Sequence, residues 1–169
     1  MVGGFRFGWE LVGVGGVTCR IGDGASEYEV HAGYCTDALA DLLYAVTGLY
    51  GDSDGERFSF DREPMETRWL LRRRGTDVAV DVFEFPDGGT SWGSVDETGG
   101  VLLWSSVQPR GVLCHAVVEA AEGVLREHGE VGYREKWVRH PFPVAALQDL
   151  RRLHRRDDDC RREACRGEG

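Results

Sequence analysis

His115 and Glu119 stand four residues apart, a spacing that puts both side chains on one face of a helix, where a metal ion or an acid-base pair would want them. Glu122 and Arg126 share that face, and a row of charged side chains at helical spacing reads better as a solvated surface. Cys114 adjoins His115, but neighbours on a helix point about 100° apart, so the thiol and this imidazole cannot act on each other as nucleophile and base. His154, Cys160 and Cys165 offer three ligand types for zinc at gaps of five and four residues. Those gaps match no common zinc spacing. Gly13-Val14-Gly15-Gly16 resembles a dinucleotide fingerprint only in its glycines, because Thr18 stands where the third glycine belongs and more strand follows in place of a helix. Asp52, Asp54 and Glu56 mimic the start of a calcium loop, yet no further acidic ligand and no later bidentate Glu follow. No catalytic set, metal site or cofactor is expected from these motifs.

Two clusters fit recognition better than reaction. Tyr133, Trp137, His140, Pro141, Phe142 and Pro143 form the densest aromatic and proline group. The rings are expected to pack over a sheet edge while the prolines hold an extended bridge into the last helix. Tyr133, Trp137 and His140 are also the candidate lining of a pocket. Trp92 sits in a glycine-rich acidic stretch with Asp87, Asp96 and Glu97, where burying an indole is hard. An exposed Trp with a charged rim is the composition of a protein-binding anchor, and a Trp folded back onto the body is at least as common.

The elements that must position these residues can be read from periodicity and turn chemistry. Trp9 to Ile21 and Tyr28 to Ala32, separated by Gly22-Asp23-Gly24, predict a β-hairpin with a loose turn. Thr36 offers an N-cap ahead of Ala38, Leu39, Leu42, Leu43 and Val46, with Gly48 as the stop. Asp52 to Glu56 reads as an acidic turn. Glu66 to Phe85 predicts a hairpin about Gly75-Thr76, a type II′ turn whose register sets Leu71 against Val80 and Trp69 against Val82 on the core face. Leu70 and Asp81, and Arg72 and Ala79, then meet on a face left open to solvent. Val101 to Val107 is a further strand. Leu113, Ala116, Val117, Ala120, Val124 and Leu125 form the inner stripe of a helix over 112–128, closed by Gly129. Pro143 starts a last helix with Ala146, Leu147, Leu150 and Leu153 inward.

Strands and helices do not alternate regularly, so the expected fold is α+β: an antiparallel sheet of about five or six strands with two or three helices packed on one face. Residues 1–155 form a single domain in this reading, and the Arg- and Asp-rich segment 156–169 is expected to be a disordered tail.

Composition supports a globular chain: of 169 residues, 41% are hydrophobic and 29% charged. The formal net charge is -9, but residues 151–169 hold seven Arg against five Asp and Glu. That leaves 13 Arg and Lys against 24 Asp and Glu elsewhere, a net of -11. Such a field opposes phosphate backbones, so nucleic-acid binding is not expected; it favours a basic partner, and the plainer reading is that it keeps the chain in solution. The five cysteines are odd in number and scattered, which argues against a disulfide framework and for a reducing, cytoplasmic compartment. No apolar run is long enough to span a bilayer, and no membrane association is expected. Oligomeric state is left open.

Three stretches carry a resemblance: YCTDALADLLYAV at 34–46, FSFDREPMETRWLLRRRGTDVAVDVFEF at 58–85, and HGEVGYREKWVRHPFP at 128–143. Together they resemble a functionally uncharacterised family of small acidic actinobacterial α+β proteins, over most of residues 20–150. The resemblance implies no activity. Proteins of similar size, charge and layout include immunity partners of bacterial toxins, a likeness of type alone.

The preferred expectation is therefore a non-catalytic module that binds a basic protein, immunity-like, with Trp92, Asp87, Asp96 and Glu97 at the contact. The alternative is an enzyme or small-ligand domain with a pocket between helices and sheet that uses His31, His140 or nearby carboxylates.

Overall fold

The computed structural model describes residues 4–159. Three antiparallel strands come first: β1 (Arg6–Val12), β2 (Gly16–Gly22) and β3 (Glu27–Gly33). Gly13 and Gly15 take φ of 57° and 80° in the turn between β1 and β2, which glycine adopts without strain. That turn is why Trp9 to Ile21, read from sequence as one arm of a hairpin, is folded into two strands. Helix α1 (Ala38–Gly48) follows, with Asp37 and not Thr36 at its N-cap. Strands β4 (Gly55–Arg62), β5 (Met65–Arg74) and β6 (Asp77–Phe85), the one-turn helix α2 (Gly88–Ser91) and strand β7 (Val101–Pro109) come next. Helices α3 (Arg110–Trp137) and α4 (Val144–Asp157) complete the described chain.

The expectation of a single sheet of five or six strands is corrected: a sheet ordered β1-β2-β3 and another ordered β4-β5-β6-β7 are both antiparallel, in an α+β fold. Their inner faces meet in an aromatic cluster. Trp9 of β1 lies edge-on to Phe60 of β4 at 5.6 Å, and Phe58 stacks on Trp69 at 5.5 Å. These rings share one core with Ile21, Val30, Leu71, Val80, Val82 and the apolar faces of α1, α3 and α4. Truncating a buried ring such as Phe60 to Ala is expected to cost about 3–5 kcal/mol.

The β5–β6 register is the one the two-residue turn demands, with Leu71 opposite Val80, Trp69 opposite Val82 and Gly75 at φ 65°. The other face of this hairpin, however, is not simply open to solvent. Residues 87–97 fold across one end of it and bury Glu66 and Arg68 there.

Helix α3 departs from expectation in two ways. Gly129, at φ 66° and ψ 174°, breaks the helical backbone where the stop is expected, but a second helical segment follows directly and runs on to Trp137, where Val138 stops it at φ 70°. Its buried face is Leu113, Cys114, Val117, Val118, Ala121 and Val124, turned from the predicted stripe. Helix α4 covers part of the face read as solvated: Glu122 pairs with Arg151, and the imidazole of His115 lies against that of His154.

Helix α4 itself buries Ala146, Leu147, Leu150 and His154. It passes the expected boundary at residue 155, because Asp158 at its end is tied to Tyr50, His154 and Arg110. The rest of the expected tail, from Cys160 on, lies outside the described residues, as do Cys160 and Cys165 as zinc ligands. Among the described residues, no helix is long and apolar enough to cross a membrane.

Candidate functional site

Three connections converge on one open cleft of about 820 Å³. Its walls are Cys35 and Thr36 between β3 and α1, Asp61, Glu63 and Pro64 where β4 turns into β5, and Asp87, Gly88, Gly89 and Trp92 around α2. Each wall has a local cause. The Glu63-Pro64 peptide is cis and turns the chain sharply. Asp87 caps α2, its carboxylate accepting the Gly89 N–H at 3.0 Å, as Asp does at an N-cap. Trp92 then leaves the helix in extended conformation with 47% of its surface exposed.

The loop carrying Trp92 is anchored from beneath. Arg68 donates to the carbonyl oxygens of Ser91 at 2.8 Å and Asp96 at 3.0 Å, and Arg57 donates to that of Ser94 at 2.8 Å. Glu66 accepts from Arg68 at 2.9 Å, Ser59 at 2.8 Å and Ser91 at 2.6 Å. Burial pushes the Glu66 pKa up, but these hydrogen bonds outweigh it and hold the carboxyl below its usual range. Arg68 also lies over the Phe85 ring at 4.2 Å. A charge pair that would be costly in an apolar interior is thus satisfied on every side.

Of the residues singled out for partner binding, Trp92 and Asp87 line the cleft. Asp96 and Glu97 lie further along the loop. The Asp96 carboxylate accepts from the Thr98 N–H at 2.9 Å and the Thr98 hydroxyl at 2.6 Å, bonds that lower its pKa and shape the turn. Asp61 and Glu63 lie in the quoted stretch 58–85 but match no catalytic or metal-binding pattern, and only the fold brings them into one cleft with Trp92.

Cys35, Asp61 and Glu63 place one donor atom each within 4.8 Å of one another. Partial desolvation first, and then the Asp61 carboxylate, push the Cys35 thiol up, so it is no activated nucleophile at neutral pH.

Tyr133 and Trp137 are buried in the core, Tyr133 edge-on to Phe142 at 5.2 Å. His140 is half-buried, with Nδ1 3.7 Å from the Asp37 carboxylate. Burial pushes Asp37 and Asp41 up, Asp41 further raised by the charge on Asp37. His31 accompanies Thr18 at 3.1 Å and Glu29 at 3.2 Å on the outer face of β3.

A second cavity of about 760 Å³ opens between the start of α3 and the end of α4, lined by His115, Glu119, His154, Asp158 and Asp159 among others. The sequence missed it, although His154 continues the inward spacing of α4 four residues after Leu150.

Comparison with known protein families, curated proteins and solved structures finds no match for this chain.

Proposed function

We propose that the chain is a non-catalytic binding module whose cleft receives a cationic side chain of a basic protein. The observation that carries this reading is the lining: Asp61, Glu63 and Asp87 supply carboxylates and Trp92 an exposed indole. Among the described residues, no Arg or Lys lines the cleft. A guanidinium or ammonium entering it would gain ion pairs and a cation-π contact, the latter worth about 0.5–2 kcal/mol. The net charge of -11 on residues 1–150 would steer such a partner toward the surface and speed its arrival. Arg57, Arg68 and Glu66 hold the Trp92 loop before any partner comes, which lowers the ordering cost of association. The likeness in type to toxin immunity proteins points the same way.

The test uses an arginine-rich peptide as probe, titrated against the tryptophan fluorescence of the full chain over a range of salt. The variant Asp61→Asn/Glu63→Gln/Asp87→Asn is compared with Asp52→Asn/Asp54→Asn/Glu130→Gln, which removes the same charge elsewhere. The cleft variant and Trp92→Ala should each weaken binding about tenfold or more, which corresponds to about 1.4 kcal/mol. The remote variant should weaken it much less. Equal weakening by both triple variants would reduce the interaction to bulk charge and defeat the reading.

A further inference from the structure

The end of β3 passes close to the end of β4: a Cβ added at Gly33 would lie 3.5 Å from the Asp61 carbonyl oxygen. That approach sets Cys35, just beyond β3, beside Asp61 and Glu63, which stand two residues apart where β4 turns into β5. The donor atoms of the three, a thiol sulfur and two carboxylate oxygens, all lie within 4.8 Å of one another. Cys35 and Glu63 are exposed and Asp61 is half-buried, so an ion from solvent can reach all three.

This corner of the cleft is short of positive charge. Among the described residues, neither Asp61 nor Glu63 pairs with an Arg or Lys, and no Arg or Lys lines the cleft. The Cys35 thiol feels the same field: desolvation, then the charge and hydrogen bond of Asp61 and the charge of Glu63, push its pKa up, against a smaller pull from Arg139. A cation among the three groups relieves that repulsion. Thr36 lines the same cleft, and its hydroxyl oxygen is buried without a hydrogen-bond partner. A buried polar atom left unmatched calls for a partner, and water carried by a metal ion in this cleft would supply one.

One sulfur and two carboxylates are a mixed donor set. It disfavours Mg²⁺ and Ca²⁺, which take oxygen ligands, and suits Zn²⁺, which takes sulfur and oxygen alike. In a tetrahedral zinc shell, with Zn–S about 2.3 Å and Zn–O about 2.0–2.2 Å, such donors stand about 3.4–3.6 Å apart. Rotation of the exposed Cys35 and Glu63 side chains closes the remaining gap, at most about 1.4 Å.

We propose that Cys35 Sγ and the Asp61 and Glu63 carboxylates bind one Zn²⁺ ion in this cleft, with water or a small ligand at the fourth position. Binding displaces the thiol proton to solvent, and the ion takes the thiolate. The inference goes beyond the partner reading, and an ion here and a cationic side chain exclude one another at Asp61 and Glu63.

The full chain, stripped with a chelator and with no peptide present, is titrated with Zn²⁺ by calorimetry in two buffers of different ionisation enthalpy. A parallel titration with Co²⁺ follows the absorption. One ion per chain is expected, with release of about one proton per ion at neutral pH and the intense near-ultraviolet band of thiolate-bound Co²⁺. Cys35→Ser and Glu63→Gln, both at exposed positions, should each weaken Zn²⁺ binding about tenfold or more, since even groups behind a ligand are worth that much. Cys35→Ser should also abolish the Co²⁺ band, while circular dichroism shows the fold kept. Cys160→Ser/Cys165→Ser and the remote variant Asp52→Asn/Asp54→Asn/Glu130→Gln should leave the affinity unchanged. Absence of saturable binding overturns the proposal. So does binding that is indifferent to Cys35→Ser, abolished by Cys160→Ser/Cys165→Ser, or weakened as much by the remote variant as by Glu63→Gln. No peptide enters this titration, so its failure leaves the arginine-peptide result standing, and a failed peptide titration leaves this one.

Discussion

Glu66 and Arg68 stand two residues apart on the same face of β5, joined Oε1 to Nε at 2.9 Å, with 1% of each side chain exposed. Arg68→Met would leave the Glu66 carboxylate buried without its counter-charge and the carbonyls of Ser91 and Asp96 without their donor. Loss of one partner from such a pair costs about 3–5 kcal/mol. Urea denaturation should show that loss. Glu66→Gln/Arg68→Met should recover part of it by removing the stranded charge, and amide exchange across residues 91–96 should quicken in both variants.

Asp158 gives a pH-dependent counterpart. Burial pushes its pKa up, but hydrogen bonds from Tyr50, His154 and Arg110 outweigh burial and hold it below 3.8. The folded state therefore binds this proton less readily than the unfolded one, so the stabilisation is full above pH 3.8 and is lost as pH falls through the depressed folded value. Asp158→Asn should cost about 1.5–3 kcal/mol at pH 7, the usual worth of a hydrogen bond to a charged group. The gap between parent and variant should narrow as the pH is lowered below 3.8 in denaturant titrations.

Asp41 has the opposite sign. Burial first, and then the charge on Asp37, raise its pKa above 3.8. The folded state now holds the proton more tightly, so the contribution is full below the unfolded value and is lost as pH rises through the raised one. Asp41→Asn should be more stable than the parent at neutral pH. Thermal melts should show that advantage shrinking as the pH falls toward 3.8.

These sites differ in how far they could be read from the chain. The β5–β6 register was legible because Gly75 fixes the turn and alternation with period two fixes the faces. Polarity misled where a second element lies over a charged stripe. His115 and Glu122 look solvated along α3, and only the packing of α4 brings His154 and Arg151 against them. Glu66 and Arg68 alternate with Trp69 and Leu71 as solvent-facing residues would, and nothing local signals that residues 87–97 return to cover them. The glycine-rich surroundings of Trp92 suited an exposed ring and a ring folded back onto the body alike, and only the structure shows it exposed. The Asp61 and Glu63 carboxylates that share its cleft depend on contacts between separate loops, which periodicity does not encode.

Two glycines test local geometry. A Cβ at Gly15 would lie 2.6 Å from Tyr34 Cδ1 at a φ of 80°, whereas at Gly75, with φ 65°, nothing lies within 4 Å. Gly75→Ala should cost only the left-handed backbone term, about 1–2 kcal/mol. Gly15→Ala should cost clearly more, because the ring of Tyr34 must move as well. Parallel melts of the two variants decide the comparison.

The last turn of α4 joins three parts of the chain that are far apart in sequence. Cutting after Arg155 would shorten the polypeptide by little, yet it would untie Tyr50 behind α1 and Arg110 at the head of α3 from their shared anchor, Asp158. A trimmed version meant for crystals or for fusion should keep that aspartate, or it will report on a loosened molecule.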